Sequence, residues 1–308
     1  MKIPRIAVLL AAYNGVSWLP QQVESILQQR GVEVTLFISV DCSNDGTEAW
    51  CEALQASNPA VHVLPFGLRF GGAARNFFRL LRDVDFSSFD GISLADQDDI
   101  WYPEKLARAF EAISLAGNDA YSSNVMAFWP DGREILVEKH QPQVKFDYIF
   151  EAAGPGCTYM LSPPLACDFK AFLNANWEKI QAVALHDWLL YAYARSHQKK
   201  WYIDPQPSMH YRQHASNQVG VNTGITAMKA RLGQVLSGWW LRQSMCIASL
   251  MSMEKTAFVS SWSALDMKGL LRLAGNAQQC RRRRRDKVYF FGLCLMLALA
   301  RLTGKKNV

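Results

Sequence analysis

Up to residue 118, apolar segments of strand length alternate with segments of helical pattern, and this alternation restricts the possible folds more than any other feature. The first apolar run, residues 6–12, ends at "YNG", and the runs "VEVTLFISVD", "VHVLPF" and "GISLADQDD" follow it. Helical segments lie between them, such as "YPEKLARAFEAISLAG", which has a proline near its start and a glycine at its end. Strands that alternate with helices predict an α/β fold with a mainly parallel sheet flanked by helices.

The pattern changes after residue 118. The stretch "AYSSNVMAFWPDGREILV" predicts two strands joined by a Pro-Asp-Gly turn, and "HDWLLYAYARSH" predicts a helix. Two extended segments, "KWYID" and "SMHYRQH", follow, and from about residue 225 the pattern is helical to the end. We therefore expect a catalytic domain over residues 1–225, with halves 1–118 and 119–225, and a helical extension over residues 226–308.

Charge is distributed unevenly along the 308 residues, although the net charge is only +6. Residues 226–308 carry 15 Lys/Arg and 3 Asp/Glu, whereas the remaining residues carry 18 and 24. This split indicates an acidic catalytic body joined to a basic docking segment. The seven cysteines form no CxxC pair, and the first residues do not have a signal-peptide pattern. Both features predict a protein of the reducing cytoplasm rather than a disulfide-rich secreted protein.

Polar clusters follow three of the predicted strands. "AAYNG" ends the first strand, "VDCSNDGT" the second and "LADQDD" the fourth. Ligands of open α/β sheets bind at the carboxyl ends of the strands. Each cluster alone is typical of an ordinary turn, but three in this order predict a ligand site.

The ordered set "AAYNG", "VDCSNDGT", "GGAARN", "ADQDDIWYPEKL", "HDW" and "YRQHASN" resembles glycosyltransferase family 2, whose members have the Rossmann-like GT-A fold and use nucleotide-sugar donors. The resemblance covers roughly residues 4–220. Within the family, "DQDDIW", "HDW" and "YRQH" are most similar to bacterial rhamnosyltransferases of lipopolysaccharide and other surface-polysaccharide assembly.

The resemblance implies a metal and diphosphate site in the acidic cluster. Asp96, Gln97 and Asp98 match the family's Asp-x-Asp motif, which places Asp96 nearer the ribose and Asp98 on a metal ion. His214 matches a late histidine that completes this site. Mg²⁺ or Mn²⁺ suits such a site because hard cations prefer carboxylate and phosphate oxygens. Asp99 is either a supporting carboxylate or the cap of the next helix.

The resemblance also implies where the nucleotide binds. Asp41 matches the aspartate that accepts the imide N–H of a uracil or thymine ring, and Ala12, Tyr13 and Asn14 match the same pocket. Tyr13 would stack on the base. Arg75 either reaches phosphate or the acidic cluster, or is an ordinary surface arginine of a helix.

The "HDW" motif implies the catalytic base. Asp187 matches the base position, with His186 orienting the substrate or tuning the pKa of Asp187. Two alternatives stay open: His186 is the base, or Asp187 only caps a helix. Gly156 and Cys157, in a glycine-rich loop, would contact the acceptor sugar together with His186 and Trp188.

The tail has five consecutive arginines followed by about 13 mostly apolar residues. A transmembrane helix needs about 20 apolar residues, so residues 281–308 instead predict a helix that lies on an anionic membrane surface. An alternative is a helix pair packed on the catalytic domain. Nucleic acid is not expected as a partner, since no nucleic-acid-binding motif accompanies the arginines.

Together these features predict an inverting, metal-dependent glycosyltransferase, peripheral on the cytoplasmic face of the inner membrane. Its expected reaction moves L-rhamnose from dTDP-rhamnose to a glycan or lipid-linked acceptor of surface-polysaccharide synthesis. One alternative is a family-2 transferase for a UDP-hexose. Another is a nucleotide-sugar-binding or membrane-scaffold protein that has lost catalysis.

Overall fold

The structure is a computed structural model that describes residues 2–214 and 238–302 of the chain. The described residues divide into two compact units. The first contains residues 2–140 and 153–214, and the second contains residues 141–152 and 238–302.

A single sheet runs through the first unit. Its strands, within the described residues, are β1 (Arg5–Ala12), β2 (Glu33–Val40), β3 (Val61–Val63), β4 (Gly91–Ala95), β5 (Ile100–Trp101), β6 (Ala120–Phe128), β7 (Glu134–Val137), β8 (Met160–Leu161) and β9 (Trp201–Arg212). They are arranged in the order β3-β2-β1-β4-β8-β6-β9-β5, and β7 pairs with β6.

Helices connect the strands of the first unit and make up most of the second. In chain order they are α1 (Leu19–Leu27), α2 (Thr47–Ser57), α3 (Ala73–Asp83), α4 (Lys105–Ser114), α5 (Asp147–Phe150), α6 (Pro163–Ala175), α7 (Trp177–Ile180), α8 (His186–Ser196), α9 (Trp239–Leu250), α10 (Ala257–Ser260), α11 (Met267–Gly275), α12 (Ala277–Cys280) and α13 (Arg284–Leu302). Of these, α5 and α9 to α13 belong to the second unit.

Strand β1 lies at the centre of the parallel half of the sheet. It pairs in parallel with β2 and β4, and β2 pairs in parallel with β3. Its residues are buried from Ile6 to Ala12, which explains the uninterrupted apolar sequence, since such a strand is covered on both faces. Ala12 pairs with Val40, and Leu10 pairs with Ala95. The chain therefore leaves β1, β2 and β4 at the same edge of the sheet.

The second half of the sheet is mixed. Strand β8 is antiparallel to both β4 and β6, β7 forms a hairpin with β6, and β5 is antiparallel to β9. The predicted Pro-Asp-Gly hairpin is confirmed, as is the α/β fold with a sheet flanked by helices. Among these antiparallel pairs, β6 and β7 are joined by a short turn, which an antiparallel pair allows and a parallel pair does not.

Two elements differ from the expectation. The segments "KWYID" and "SMHYRQH" form one strand, β9, with register shifts against β6 around Asn124. Pro205 and Pro207 lie in this irregular part, where a proline cannot complete a regular hydrogen-bond ladder. Helix α6 was not predicted, although Ser162 caps it by accepting the N–H of Leu165 at 3.4 Å.

The second unit is helical, which confirms the predicted helical extension for the described residues from 238 onward. The predicted boundary at residue 225 lies outside the described residues. The ring of Phe150 packs against the rings of Trp240, Trp262 and Phe290, with centroids 5.2–5.6 Å apart. In the part of the chain that the structure describes, no helix is long and apolar enough to cross a membrane.

The arginine run is partly internal to the second unit. The Arg282 side chain is buried and donates to the carbonyl of Ala152 at 2.7 Å, and its guanidinium lies 3.5 Å from the buried carboxylate of Asp147. Its backbone N–H donates to Glu151. The expectation that the whole run faces lipid headgroups is therefore wrong for Arg282, because this guanidinium compensates a carboxylate that has no access to water.

Candidate active site

Three polar loops meet at the carboxyl edge of β1, β2 and β4. The loop after β1 joins the loop after β4 through the side chain of Gln97, which accepts the N–H of Tyr13 at 2.8 Å and donates to the carbonyl of Tyr13 at 2.9 Å. Asn14 joins the loop after β2: its N–H donates to the hydroxyl of Ser43, and its side chain accepts the N–H of Asn44. The structure therefore brings together the three clusters that the sequence singled out.

Asp41 fastens the loop before α3. Its carboxylate is buried and accepts the N–H groups of Phe70 and Gly71, both at 2.9 Å. The N–H of Asp41 donates to the carbonyl of Ala12 at 2.8 Å. The Asp41 carboxylate is thus held in a fixed position between the loop after β2 and the loop before α3.

The other predicted nucleotide-binding residues fall into two groups. Tyr13 is 50% exposed and offers an accessible ring at the cleft. Ala12 is buried and its carbonyl is already used by Asp41, while the amide of Gln97 is used by Tyr13. Ala12 and Gln97 are therefore better placed to shape the cleft than to contact a donor.

Arg75 is exposed on α3 and links two loops. Its guanidinium donates to the carbonyls of Phe70 and Gln181, each at 3.2 Å. Arg75 was expected either to reach phosphate or the acidic cluster, or to be a surface arginine. Among the described residues it makes no contact with the acidic cluster. Phe70 is also the residue whose N–H binds Asp41, so Arg75 supports the loop that lines the predicted nucleobase cleft.

The acidic loop after β4 is held by residues at the end of β9. The Nε2 atom of His214 lies 2.6 Å from Oδ2 of Asp98, and the His214 ring stacks on Trp18 with centroids 4.3 Å apart. Arg212 donates its Nε to the carbonyl of Asp98 at 2.7 Å and its backbone N–H to the carboxylate of Asp99. The two residues predicted as metal ligands are therefore adjacent.

Asp99 is a fully buried supporting carboxylate. Helix α4 begins at Lys105 without a side-chain cap, so the alternative that Asp99 caps this helix is wrong. The Lys105 ammonium is buried 3.5 Å above the Trp101 ring and near Asp99 and Cys157, and burial lowers its pKa to about 7. Burial thus disfavours the charged ammonium, while the nearby Cys157 and Asp99 oppose this shift.

Several acidic side chains lie close together at the loop after β4. Burial, together with the neighbouring carboxylates of Asp98 and Asp187, raises the pKa of Asp96 to about 7. The ligand atoms of Asp96, Asp99 and Cys157 all lie within 4.8 Å of one another. Carboxylates this close repel one another, and a cation among them would favour their ionised forms.

This donor set fits a divalent cation. An oxygen of the Asp98 carboxylate and the Nε2 atom of His214 lie 2.6 Å apart, and the Asp96 carboxylate is close enough to Asp98 for the two charges to interact. Oxygen donors with one imidazole suit Mn²⁺ and, with more water in the shell, Mg²⁺. The predicted metal ligands Asp98 and His214 are therefore in contact, and the ligand atoms of Asp96, Asp99 and Cys157 form a second group close to Asp98.

Asp187 lies in the first turn of α8. Its carboxylate is half-buried and accepts the N–H of Trp188 at 2.7 Å. Burial raises its pKa to about 6, although the Trp188 hydrogen bond and the charge of Lys139 oppose this. A carboxylate with a pKa near 6 is ionised at neutral pH and is a stronger base than an ordinary aspartate.

His186 is held in a neutral state beside Asp187. Its ring stacks on Phe77 with centroids 3.9 Å apart, and burial lowers its pKa to about 3. Its Nε2 atom is buried without a hydrogen-bond partner and points at Gly156. So weak a base is poorly suited to proton abstraction, which favours Asp187 over His186 in that role.

The predicted acceptor contacts need correction for two residues. No part of the Cys157 side chain is exposed, and it lies under the carboxylates of Asp96 and Asp99. Trp188 is also buried, on the core side of α8. Neither side chain can touch an acceptor in this structure, because each faces the protein interior. Gly156 and His186 lie together against Asp187, but both are buried as well.

Sequence reasoning missed three supporting residues. Lys105 balances the acidic loop, Phe77 stacks on His186, and Trp18 stacks on His214. Lys105 follows Pro103 in "YPEKL", where a lysine in the first turn of a helix resembles a solvent-exposed residue. Only the fold shows that these side chains point inward, because the sequence alone does not indicate which face of α3 or α4 is directed toward the acidic loop or toward His186.

Gly156→Ala is expected to reduce the turnover number about 10- to 100-fold while donor affinity stays unchanged. A Cβ at this position would clash with Nε2 of His186, because the two atoms would be much closer than van der Waals contact allows. It would also lie 3.2 Å from Cβ of Asp187. The His186 ring cannot yield easily because it stacks on Phe77, so the start of α8 must shift, and a shift of about 1 Å at a catalytic group can cost about 100-fold.

Steady-state kinetics and donor calorimetry would test this expectation. Gly275→Ala is the matched control, because a Cβ at Gly275 meets no atom within 4 Å. An unchanged turnover number in Gly156→Ala would show that the His186–Gly156 contact does not position Asp187.

Comparison with known proteins adds a family and several relatives. The family model described as glycosyl transferase family 2 matches residues 7–172. The chain is 43% identical over 291 residues to the dTDP-rhamnosyl transferase RfbG of Shigella flexneri. This alignment covers 94% of this chain and 99% of that protein. It is 30% identical over 135 residues to the succinoglycan biosynthesis protein ExoO of Rhizobium meliloti, in an alignment that covers 44% of this chain and 37% of that protein.

Solved structures show the same fold at low identity. TarS 1-349 of S. aureus in complex with UDP-GlcNAc has a TM-score of 0.54 at 13% identity, and the match covers 97% of this chain and 92% of that one. The mannosyltransferase PcManGT from Pyrobaculum calidifontis, in complex with GDP-Man and Mn²⁺, has a TM-score of 0.51 at 14% identity, with 98% and 88% covered.

Proposed function

Because the chain belongs to glycosyl transferase family 2, we propose that it transfers L-rhamnose from dTDP-β-L-rhamnose to a hydroxyl group of a growing cell-surface glycan. The observation that carries the proposal is the 43% identity to a dTDP-rhamnosyl transferase over nearly the full length of both chains. The site supports it, since His214 contacts Asp98, and Asp96 lies close enough to Asp98 and Asp187 for their charges to interact.

The donor nucleotide would bind along the carboxyl edge of the sheet. The fixed carboxylate of Asp41 would accept the imide N–H of thymine, and the exposed ring of Tyr13 would stack on the base. Asn14 joins the loops after β1 and β2 that would border this pocket, and Asp96 would lie on the side toward the ribose and diphosphate.

Asp98 and His214 would hold the divalent cation at the diphosphate. When bound, Mg²⁺ or Mn²⁺ would neutralise the negative charge that the leaving diphosphate gains as the sugar–phosphate bond breaks. The Trp18 stack and the Arg212 hydrogen bond keep His214 and Asp98 in place before substrate arrives. Such preorganisation reduces the reordering that binding would otherwise require.

Asp187 would act as the general base. It would take the proton of the acceptor hydroxyl, whose oxygen attacks the anomeric carbon on the face opposite the diphosphate. The bond between that carbon and the phosphate oxygen breaks, and dTDP leaves with the electron pair. One displacement inverts the configuration, so a β-linked donor gives an α-rhamnoside. Neutral His186 would keep Asp187 oriented and reduce its exposure to water.

The acceptor would be a glycan, lipid-linked in the simplest case, at the cytoplasmic face of the inner membrane. The protein would associate with that surface peripherally.

A thermal-shift panel tests the donor. Purified protein with Mn²⁺ is melted with dTDP-β-L-rhamnose, UDP-glucose or UDP-GlcNAc, because a ligand of the native state at 100 times its Kd adds about 2.7 kcal/mol of stability. We expect dTDP-rhamnose to raise the melting temperature most, and EDTA to remove most of that increase. A UDP-sugar that stabilises the protein while dTDP-rhamnose has no effect would replace the proposal with a UDP-hexose transferase.

A further inference from the structure

Helix α13 is apolar on all sides over most of its length. Residues 288–300 contain no charged residue. A helix at the surface of a water-soluble protein normally has a polar outer face, and a helix that is apolar all round is normally buried. Helix α13 has an exposed side nevertheless.

The two sides of α13 are easily distinguished. Phe290, Cys294, Leu297 and Ala298 are buried and form the inner face. The outer face consists of Val288, Tyr289, Phe291, Met296 and Leu299, all of which are exposed, with Val288 at 67% and Leu299 at 62%. These five positions define the outer face of α13, and its apolar composition indicates a partner that removes it from water.

Positive charge lies at the N-terminal end of this face. Arg284 and Arg285 are exposed, and residues 238–302 carry 11 Lys/Arg and 3 Asp/Glu. The one acidic residue of α13, Asp286, is compensated by Arg281 and Arg285 at 3.8 and 3.3 Å. A partner of this surface therefore combines an apolar interior with negative charge at its boundary.

We propose that the outer face of α13 is a docking surface for an anionic lipid bilayer. The helix would lie parallel to the membrane, with Val288, Tyr289 and Leu299 in the boundary between headgroups and acyl chains and with Arg284 and Arg285 on lipid phosphates. The inference rests on the proposed function only for its purpose, which is to hold the enzyme beside a lipid-linked acceptor.

An in-plane orientation follows from length and packing. The 13 uncharged residues 288–300 span about 20 Å as a helix, which is shorter than the roughly 30 Å hydrocarbon core of a bilayer. The inner face is already packed against its own unit, so only one side of the helix is available to lipid.

Not every arginine of residues 281–285 belongs to the proposed docking surface. Arg282 is buried with Asp147, so its replacement would leave a buried carboxylate unpaired and disturb the helices themselves. Arg284 and Arg285 are exposed and can be changed without that consequence. This distinction allows the electrostatic contribution to be tested apart from folding.

Co-sedimentation of the full chain with lipid vesicles tests the proposal. We expect binding to phosphatidylglycerol vesicles at least 10-fold tighter than to phosphatidylcholine vesicles. The double variant Val288→Glu/Leu299→Glu should lose at least 10-fold in affinity for phosphatidylglycerol, and Arg284→Gln/Arg285→Gln should lose 5- to 30-fold. Leu115→Glu is the matched control, since Leu115 is 82% exposed in the first unit and should bind as wild type does.

Three results would overturn the proposal. The first is that the wild-type chain does not bind phosphatidylglycerol vesicles. The second is that Val288→Glu/Leu299→Glu binds these vesicles as tightly as wild type. The third is that light scattering shows a wild-type dimer that this variant dissociates, which would assign the outer face of α13 to a second copy of the chain. Melting with dTDP-rhamnose is measured in parallel. Loss of the donor effect with retained vesicle binding would count against the proposed function alone.

Discussion

Asp98→Ala is expected to reduce the release of dTDP from dTDP-rhamnose by about 1,000-fold in Mn²⁺, which corresponds to about 4 kcal/mol of transition-state stabilisation. The Asp98 carboxylate lies 2.6 Å from Nε2 of His214, in a cleft where Asp96 is already hard to ionise. Removing it takes away one of the two proposed metal ligands and the negative charge that would attract the cation. A bound cation contributes several kcal/mol in reactions with a charged leaving group.

Coupled measurement of nucleoside diphosphate release, with Mn²⁺ or with EDTA, would check this result. Asp85→Ala is the control, because Asp85 is exposed and its hydrogen bonds among the described residues are to nearby Ser87. The wild-type and Asp85→Ala proteins should lose activity in EDTA, whereas Asp98→Ala should be slow in both conditions. Identical metal-independent rates for wild type and Asp98→Ala would contradict the proposed role of Asp98.

Asp187→Asn is expected to lower the turnover number by about 100- to 10,000-fold, the range that general-base catalysis contributes. Asparagine keeps the shape and can still accept the N–H of Trp188, so the start of α8 should stay intact. What is lost is the ability to take the acceptor proton. Donor affinity should change little, since the proposed nucleobase contacts lie at Asp41 and Tyr13.

The pH profile distinguishes the loss of a base from a structural effect. In wild type, kcat/KM should rise with pH through about 6, because Asp187 must be ionised to accept a proton and burial raises its pKa to about 6. In Asp187→Asn the residual rate should lack this acidic limb. Asp168→Asn is the control, since Asp168 forms only an exposed pair with Lys199 at 2.9 Å, which contributes little. An unchanged profile in Asp187→Asn would identify another group as the base.

The fold and the meeting of the three loops could be predicted because they depend on short-range patterns. Apolar runs of strand length separated by helices imply parallel strands, and parallel strands bring their carboxyl ends to one edge. The polar residues that follow β1, β2 and β4 must therefore meet, as Tyr13 does with Gln97 and Asn14 with Ser43. Motif order then identified the family without any distance being known.

The direction of individual side chains could not be predicted in the same way. Cys157 and Trp188 were assigned to the acceptor because they are neighbours of Gly156 and Asp187 in the sequence, yet both are buried. Consecutive residues of a helix point about 100° apart, so a neighbour of a catalytic residue commonly faces the core. Long-range contacts decide such cases, as when Lys105 turns inward to Asp99.

The arginine run shows the same limit. Five identical residues in a row suggest one common surface, but Arg282 pairs with Asp147, which lies 135 positions earlier in the chain. Nothing in the run itself marks this arginine as internal. The membrane surface that we propose is consequently defined by exposed apolar residues of α13 and by Arg284 and Arg285, rather than by the run as a whole.

Donor turnover tests the proposed reaction most directly. The initial rate of nucleoside diphosphate release is measured in Mn²⁺ for dTDP-β-L-rhamnose, UDP-glucose and UDP-GlcNAc at equal concentration, with water as the acceptor. We predict that dTDP-rhamnose is consumed at least 10-fold faster than either UDP-sugar and that EDTA abolishes the difference. Faster consumption of a UDP-sugar, or no consumption of dTDP-rhamnose above the rate without protein, would contradict the rhamnosyl transfer proposed for this chain.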